Sequence, residues 1–393
     1  MISGRGTMSQ GKGWGAPVVA LLIVCGLSAA LAGCSQDAGK KVIRIGVVGP
    51  ESGTAAQLGQ GQHKAVQMAV DEVNAKKAAG DWQVEAYFED DEGNPTKSAN
   101  AVNKLIQQSK VHLVIGAINS SATLADMVVT GRAGIPQITA GSTGASITQQ
   151  GNKWIFRTAA NDEFQANALV RHAKEVLGLK KVATFTAADD YGQSGAKLLA
   201  AAAEKQGLQL VASPTYNNGD KDFKPQLLTI KAGGAQGIFL WGLYTEAALI
   251  SKQARQLAIN AQLFGASGMA AQKLIELGGE AAQGLVLTQT FLPESANPVV
   301  KDFVAKYKGK YQESPIPHAA QAYDTVYVIA DALKRANSTA PDALREALAK
   351  TGGLKLVTGE PKFNLQGDDI GKYLLITAIK GDKFELLKTV TGN

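Results

Sequence analysis

Along most of this chain, short runs of apolar residues typical of strands alternate with longer stretches that have apolar residues at helical spacing. The first β-branched run, 42–48, ends at Gly49-Pro50, and apolar residues then recur at helical spacing over about 60–77. The order continues with a strand at 82–89, a helix from Pro95, a strand at 111–115, a helix from Ser120 to about 132 and a strand at 135–138. Strands that alternate with helices in this way predict a parallel sheet with helices on both faces.

The same pattern starts again after Arg157, with a helix over 162–177. Strands are predicted at 181–186, 208–213, 237–241, 262–265 and 284–288, with helices at about 191–206, 223–232 and 245–257. Three helices follow, at about 298–311, 318–336 and 340–350, and then a β-hairpin of 372–379 and 383–389 across Gly381-Asp382. Two strand–helix runs, 42–140 and 181–288, predict two similar lobes.

The first 33 residues have the pattern of a secretory signal rather than of a folded element. Arg5 and Lys12 precede an apolar run over 16–32, which is short for a membrane-spanning helix of about 20 residues. The run ends in Leu31-Ala32-Gly33-Cys34, which resembles the lipobox of bacterial lipoproteins. The resemblance implies cleavage before Cys34, its lipidation, a tether over 34–40 and a protein held at a membrane from outside the cytoplasm. An uncleaved membrane anchor is the alternative.

Composition excludes several classes of protein. Of the 393 residues 45% are hydrophobic and 19% charged, which is globular rather than disordered composition. The net charge is +6, but no block of Lys and Arg exceeds two residues, so a nucleic-acid surface is not expected. The chain has only two Cys residues, which excludes a disulfide framework and a Cys-rich zinc site.

Two loops at the ends of predicted strands of the first run carry small polar residues. Ser120 follows the strand at 111–115, at a helix start where free N–H groups and the helix dipole favour an anion. Gly141, Ser142 and Thr143 follow the strand at 135–138 and offer close backbone approach and hydroxyl donors. Ligands bind beyond the carboxyl ends of strands in open α/β sheets, so an anion site is predicted here. Ordinary helix capping and a connecting loop are the alternatives.

The second run places a tyrosine just after each of two strands. Tyr191 follows the strand at 181–186 and Tyr244 the strand at 237–241. A tyrosine offers a flat apolar face and one polar tip for closing over a small ligand, although both could simply pack at helix starts. Glu246 is either a helix-start acid stabilised by the dipole or a partner for an ammonium group.

No catalytic or metal-binding constellation emerges from the sequence. Gly59 and Gly61 lack the third glycine of a dinucleotide loop, and the four histidines are far apart in the sequence. Asp189 and Asp190 formally suit hydrolysis, but nothing supplies their geometric partner. We therefore expect no enzyme activity, no cofactor and no metal.

In its motifs the chain resembles the periplasmic binding proteins that deliver branched-chain amino acids to ABC transporters. The resemblance covers nearly all of the chain after Cys34, and no single motif is decisive. It rests on the order and spacing of several segments together. These are Ile45-Gly46-Val47-Val48-Gly49-Pro50, Ala69-Val70-Asp71-Glu72-Val73-Asn74-Ala75, Glu89-Asp90-Asp91, Tyr191-Gly192 and Ala322-Tyr323-Asp324.

The resemblance implies the type I periplasmic-binding fold, an α/β architecture of two Rossmann-like lobes with parallel sheets. The first lobe would hold 41–160 and 291–360, and the second 161–290 and 368–393. A hinge of three crossovers would lie near 159–162, 288–293 and 359–367.

The resemblance also implies a ligand site. In the family, loops matching Ser120 and Gly141-Ser142-Thr143 bind the ligand carboxylate, and tyrosines matching Tyr191 and Tyr244 close over it. This chain departs at two positions: Ser267 stands where the family has a glutamate that pairs the ligand ammonium, and Leu58 stands where it has an aromatic residue. Either Glu246 or Glu51 replaces the missing acid, or the ligand lacks an amino group, because a buried unpaired ammonium is costly.

These inferences together predict a lipid-tethered solute-binding subunit of an ABC importer that captures a small carboxylate-bearing ligand, with a membrane permease as its partner. A branched-chain or related amino acid is the first candidate ligand, and an aromatic or aliphatic acid or an amide is the alternative. A ligand sensor for a signalling partner and a secreted NAD-type dehydrogenase are the rival functions.

Overall fold

The computed structural model describes residues 41–391. The predicted signal segment, Cys34 and the tether over 34–40 lie outside the described residues. The strands are β1 (Lys41–Gly49), β2 (Trp82–Asp90), β3 (Leu113–Ile115), β4 (Gln137–Thr139), β5 (Ile155–Arg157), β6 (Lys181–Ala187), β7 (Gln209–Ala212), β8 (Thr215–Tyr216), β9 (Gly237–Trp241), β10 (Gln262–Gly265), β11 (Val286–Gln289), β12 (Tyr373–Lys380) and β13 (Lys383–Thr391).

The helices alternate with the strands over most of the described chain. They are α1 (Ala56–Ala75), α2 (Pro95–Gln107), α3 (Ser120–Ala133), α4 (Ser146–Gln149), α5 (Asp162–Glu175), α6 (Asp190–Lys205), α7 (Lys224–Ala232), α8 (Tyr244–Gln256), α9 (Gln272–Gly278), α10 (Pro298–Tyr311), α11 (Pro317–Ala336) and α12 (Pro341–Ala349). Short 3₁₀ helices cover Ser267–Met269 and Gly279–Ala282.

The strands form two separate sheets. The first has the order β2-β1-β3-β4-β5, and all of its strands are parallel. The second has the order β13-β12-β11-β10-β9-β6-β7, with β8 paired to β6; β12 is antiparallel to both of its neighbours, β11 and β13, and the other pairs are parallel. The predicted α/β fold with parallel sheets is thus confirmed.

Burial explains why these segments form strands. The central strand β9 is buried along its whole length, because helices cover both faces of a parallel sheet. Phe239 of β9 stacks on Phe264 of β10 with ring centroids 4.7 Å apart. Helix α11, most of which is buried, packs against α1, which lies on the first sheet.

Helix starts follow local chemistry in the sequence. Proline occupies the first position of α2, α10, α11 and α12, where its missing N–H leaves no internal bond unmade. The side chains of Asn94, Asn161, Asp189 and Asn297 accept hydrogen bonds from first-turn N–H groups of α2, α5, α6 and α10.

The chain passes between the two sheets three times. It leaves the first sheet after β5, since α5 packs on β11 and β12 of the second. After β11 it returns, because α10 and α11 pack on α1, and it rejoins the second sheet at β12. None of the helices within 41–391 is long and apolar enough to cross a membrane.

Candidate functional site

A narrow cavity lies where the carboxyl ends of the two sheets face each other. Its volume is about 20 Å³, enough for about one water molecule and far below the roughly 300–1,000 Å³ of a small-molecule site. A ligand the size of an amino acid therefore needs the two sides to move apart from this form. We call the two sides the first-sheet wall (Leu58, Ile118, Asn119, Ser120, Gly141, Thr143 and His318) and the second-sheet wall (Asp189, Tyr191, Leu243, Ser267 and Gly268).

In the first-sheet wall, the loops after β3 and β4 are joined by hydrogen bonds. Thr139 Oγ1 donates to the carbonyl of Ala117 at 2.8 Å and accepts from the N–H of Ser142 at 2.9 Å. Ser142 Oγ donates to the carbonyl of Ile118 at 2.9 Å. This network fixes the backbone next to Ser120, whose hydroxyl accepts from the N–H of Gly144 at 3.3 Å and keeps its own proton to donate.

Gly141 lets this wall approach the cavity closely. A Cβ at that position would lie 2.6 Å from Cδ1 of Ile118 and 3.2 Å from Cδ2 of His318. The absence of a side chain therefore keeps the loop after β4 packed against α11.

The second-sheet wall contains an acid and an aromatic residue. Asp189 Oδ1 accepts from the N–H of Gly192 at 2.8 Å, which caps α6, and Oδ2 accepts from Nδ2 of Asn218 at 2.8 Å. Tyr191 packs on Trp241 with ring centroids 6.0 Å apart. Burial raises the pKa of Tyr191 well above its ordinary value, so its hydroxyl keeps its proton. Within residues 41–391 that buried hydroxyl makes no hydrogen bond of normal geometry.

Helix starts give the cavity its polarity. Residues of the cavity lie in the first turn or at the N-cap of α1, α3, α6, α8 and α11. Positive ends of helix dipoles attract negative charge, and in α6 the carboxylate of Asp189 already occupies that position. Burial lowers the pKa of His318 to about 4, so this imidazole is neutral at physiological pH.

Behind the cavity lies a further acid, Asp162, which is fully buried beside Thr143, Arg157 and Ser194. Burial raises the pKa of Asp162 to about 6, and the surrounding polar groups only partly offset the cost of burying its charge.

Outside the cavity, the segments that carry the two walls are also joined by direct hydrogen bonds. The N–H of Gln57 donates to the Tyr244 hydroxyl at 3.2 Å, and the Gln57 side-chain oxygen accepts from the N–H of Lys273 at 3.0 Å. Thr245 Oγ1 donates to the carbonyl of Thr54 at 3.0 Å, and the N–H of Ala145 donates to Ser194 Oγ at 3.1 Å. These bonds join helices on the first sheet to helices on the second.

The structure brings six of the nine predicted site residues to the cavity: Leu58, Ser120, Gly141, Thr143, Tyr191 and Ser267. The other three do not line it. Ser142 is turned into the network under the first-sheet wall, and Tyr244 contacts Gln57 instead of the cavity. Glu246 is buried in the first turn of α8, where its Oε1 accepts from the N–H of Gly219 at 3.0 Å.

Sequence reasoning missed Ile118, Asn119, Asp189, Leu243, His318 and Gly268 as lining residues. For Asp189 the signal was present, because this acid lies two residues after the end of β6, at the same strand end as Tyr191. His318 had no local signal, since only the packing of α11 on α1 brings it to the cavity. The second candidate acid, Glu51, bonds His63 outside the cavity.

Within residues 41–391, no three His, Cys, Asp or Glu side chains are grouped so that they could hold a metal ion. The cavity instead presents hydroxyls, helix starts and one carboxylate, which suits noncovalent binding of a small polar molecule.

Comparison with known proteins agrees with this architecture. Residues 42–382 match the family model described as periplasmic binding protein. The chain is 28% identical over 342 residues to the leucine-, isoleucine-, valine-, threonine- and alanine-binding protein of Pseudomonas aeruginosa, which covers 86% of this chain and 90% of that protein.

Solved structures show the same fold. A leucine-binding protein from Thermotoga maritima is 31% identical, with a TM-score of 0.84, covering 89% of this chain and 99% of that one. The substrate-binding protein of a branched-chain amino acid transporter from Streptococcus pneumoniae, solved with isoleucine, is 30% identical, with a TM-score of 0.81 over 88% and 100% of the two chains. The chain therefore belongs to the periplasmic binding protein family, among the branched-chain amino acid binding proteins and their relatives.

Proposed function

We propose that this protein is the solute-binding subunit of an ABC importer and that it captures a small carboxylate-bearing ligand, with a branched-chain or related amino acid as the first candidate. The supporting observation is the convergence of Ser120 and Thr143 with several helix starts on one cavity between the sheets. Neutral donors and helix dipoles there suit a carboxylate.

The mechanism proposed is closure of two lobes on the solute. Each lobe would consist of one sheet with the helices that pack on it, divided as 41–160 with 291–360 and 161–290 with 368–393. A ligand that contacts both walls stabilises the closed form by its difference in affinity for the closed and open forms. The closed form would then dock on a membrane permease, and no covalent chemistry is involved.

The location proposed is the periplasm or the cell surface, with the chain anchored by lipid on Cys34. The Leu-Ala-Gly-Cys sequence after an apolar run supports this. Radiolabelled palmitate should be incorporated into the expressed protein, and a Cys34→Ala variant should lose the label. Equal labelling of both would count against the anchor.

A thermal-shift screen of the purified protein tests the ligand class. Amino acids, aliphatic and aromatic acids and amides should be compared at high concentration, since a ligand at 100 times its Kd stabilises the fold by about 2.7 kcal/mol. Ser120→Ala and Thr143→Ala should each weaken the best hit by about 10- to 150-fold, because each removes a donor to a charged group.

Ser146→Ala, which removes a hydroxyl from α4 outside the cavity, is the matched control and should leave affinity unchanged. Unchanged affinity in both cavity variants would reject the carboxylate site.

A further inference from the structure

We propose that closure of the two sides of the cavity takes up a proton at Asp162, so that the protein binds its solute more tightly in mildly acidic medium than at neutral pH. This inference rests on the proposed function and concerns the regulation of the same site, whichever solute it binds. It starts from the position of this acid, behind the cavity and between segments of both sheets.

Both sheets contribute to the surroundings of Asp162. Its N–H donates to the carbonyl of Thr143, in the loop after β4, at 2.9 Å. Its carboxyl group lies beside the hydroxyl of Thr143 and, from the second-sheet side, beside the hydroxyl of Ser194 on α6 and the indole N–H of Trp241 on β9. Ser194 Oγ also accepts from the N–H of Ala145 at 3.1 Å, so the two sides are in direct contact next to this acid.

The carboxyl group of Asp162 is buried without a direct partner. The residue is 0% exposed, and within 41–391 neither of its side-chain oxygens makes a hydrogen bond of normal geometry. The indole N–H of Trp241 is in the same situation. A buried carboxylate that lacks hydrogen bonds is costly, whereas the protonated acid has no charge and can itself donate to a neighbouring hydroxyl.

Arg157, at the end of β5, is the cation that acts on Asp162, but its hydrogen bonds are made elsewhere. Its Nε donates to Asp368 at 2.7 Å, its Nη1 to the carbonyl of Gly144 at 2.7 Å, and its Nη2 to Thr148 Oγ1 at 3.0 Å. The guanidinium charge therefore offsets only part of the cost of burial, and the pKa of Asp162 stays raised to about 6.

The other elements around Asp162 add little charge. On α6 the buried hydroxyl of Tyr191 keeps its proton, and the carboxylate of Asp189 caps the helix. Glu163 on α5 and Asp190 on α6 are exposed to solvent. The loop over 140–145, β9, β11 and the segment 266–269 contain no titratable side chain. Burial is therefore the main influence on this acid.

Movement of the two sides apart would separate Thr143 from Ser194 and admit water to the carboxyl group of Asp162. An aspartate in water is ionised above about pH 4, whereas the closed form keeps the proton up to about pH 6. Closure therefore takes up a proton between these two pH values. Above about pH 6 the acid is ionised in both forms, and closure is then opposed by the burial of a charge. Affinity should thus rise as the pH falls through this range.

Isothermal titration calorimetry of the purified full chain tests the proposal. The probes are L-leucine and L-isoleucine, whose own charges do not change between about pH 5 and pH 7.5. Wild type should bind them about 10-fold more tightly at pH 5 than at pH 7.5. Near pH 5.5, titrations in two buffers with different heats of ionisation should show the uptake of about a half to one proton per solute.

Asp162→Asn resembles the protonated acid, so it should bind equally tightly at both pH values and take up no proton. Asp162→Ser, a smaller residue without a titrating group, is a second variant and should also lose the pH dependence. Asp126→Asn is the matched control. It removes another buried acid with a raised pKa, one that is bonded to Ser98 on the first-sheet side, and should leave the pH dependence of affinity as in wild type.

The failures of the two proposals differ. Binding by wild type with equal affinity at both pH values would overturn the inference and leave the proposed function standing. A pH dependence that persists unchanged in both Asp162 variants would do the same. If another compound of the wider screen binds instead, the difference between wild type and variant at each pH cancels any titration of the compound itself. If no compound binds, the proposed function fails and solute-driven proton uptake fails with it.

Discussion

The two walls of the cavity are built on opposite principles. The first-sheet wall is held by hydrogen bonds among neutral groups, such as Thr139 Oγ1 to the carbonyl of Ala117. The second-sheet wall carries Asp189, and its Tyr191 hydroxyl makes no hydrogen bond of normal geometry within 41–391. The first-sheet wall is therefore held by a network of its own, although Asn119 Oδ1 and His318 Nδ1 make no hydrogen bond within 41–391, whereas the second-sheet wall holds its one charge on a single side chain.

This difference affects how substitutions could change the ligand of such a site. Groups of the first-sheet wall are fixed by backbone that several residues share, so a change there disturbs the wall as a whole. In the second-sheet wall the charge rests on Asp189 alone, which bonds only Gly192 and Asn218, so a substitution there changes the charge of the wall without altering the network of the first-sheet wall.

The largest expected effect is from Gly268→Ala. A Cβ there would lie 2.8 Å from the main-chain oxygen of Gly242, which cannot rotate away. We expect a loss of about 1–3 kcal/mol in the free energy of unfolding, measured by urea denaturation, because the backbone must shift. Gly141→Ala should cost less, since its Cβ meets the end of the Ile118 side chain, which can change rotamer. The reverse order would show that the shared network of the first-sheet wall, and not the atom that the new Cβ meets, sets the cost.

A second effect concerns buried charge on the first-sheet side, away from the cavity. Ser98 Oγ lies 3.0 Å from a carboxylate oxygen of both Asp91 and Asp126. Burial raises the pKa of Asp91 from 3.8 to about 6 and that of Asp126 well above its ordinary value. The folded state therefore binds protons that the unfolded chain releases, and stability falls as the pH rises from about 4 to 6 and beyond.

Asp126→Asn removes one of these two charges. It should raise the free energy of unfolding at pH 8 by about 1–2 kcal/mol and flatten its decline between pH 5 and pH 8. Asp71→Asn, an exposed acid of α1, should change it by less than about 0.5 kcal/mol. Urea unfolding at both pH values measures this, and a variant less stable than wild type at pH 8 would refute the account.

The smallest effect is expected from Tyr244→Phe. It removes the hydroxyl that accepts from Gln57 N–H across the walls, a bond worth about 0.5–1.5 kcal/mol. Because Tyr244 does not line the cavity, affinity should fall about 2- to 10-fold for every ligand alike, with selectivity unchanged. Titration calorimetry with several ligands checks this.

Tyr311→Phe is the control for that variant, since its hydroxyl donates to the carbonyl of Lys64 at 2.6 Å, remote from the second-sheet wall. It should lower stability without changing affinity. A selective loss for one ligand in Tyr244→Phe would place this tyrosine in the site after all.

Much of the fold was accessible from the sequence, because continuous burial leaves a clear pattern. The strands at 237–241 and 262–265 and the helix at 298–311 were predicted with the bounds that the structure has. The three-residue strand β5, the two-residue β8 and helix α9 were missed, since such short elements have too few residues to show a period. Helix α1 begins at Ala56 rather than near 60, and Gly59 in its first turns lies against the carbonyl of Pro50.

The cavity was accessible only in part. Ser120, Thr143 and Tyr191 were found because the ends of parallel strands meet at one edge. The sequence could not tell whether Leu243 or Tyr244 lines the cavity, because this depends on where α8 begins. Leu243, the N-cap residue, lines the cavity, and Tyr244, the first residue of the helix, contacts Gln57. His318 is about 200 residues distant from Ser120 in sequence, and only tertiary packing joins them.

The hydrogen bonds outside the cavity, which join the segments that carry the two walls, contribute to the free energy of the proposed closure. Gln57, Thr54 and Ala145 contact the second-sheet side through groups of the protein alone, so part of the free energy of closure is independent of the cargo. Under the proposed function, a closed form without cargo is then populated as well. Weakening these bonds should lower that population and, at the same time, the affinity for the cargo.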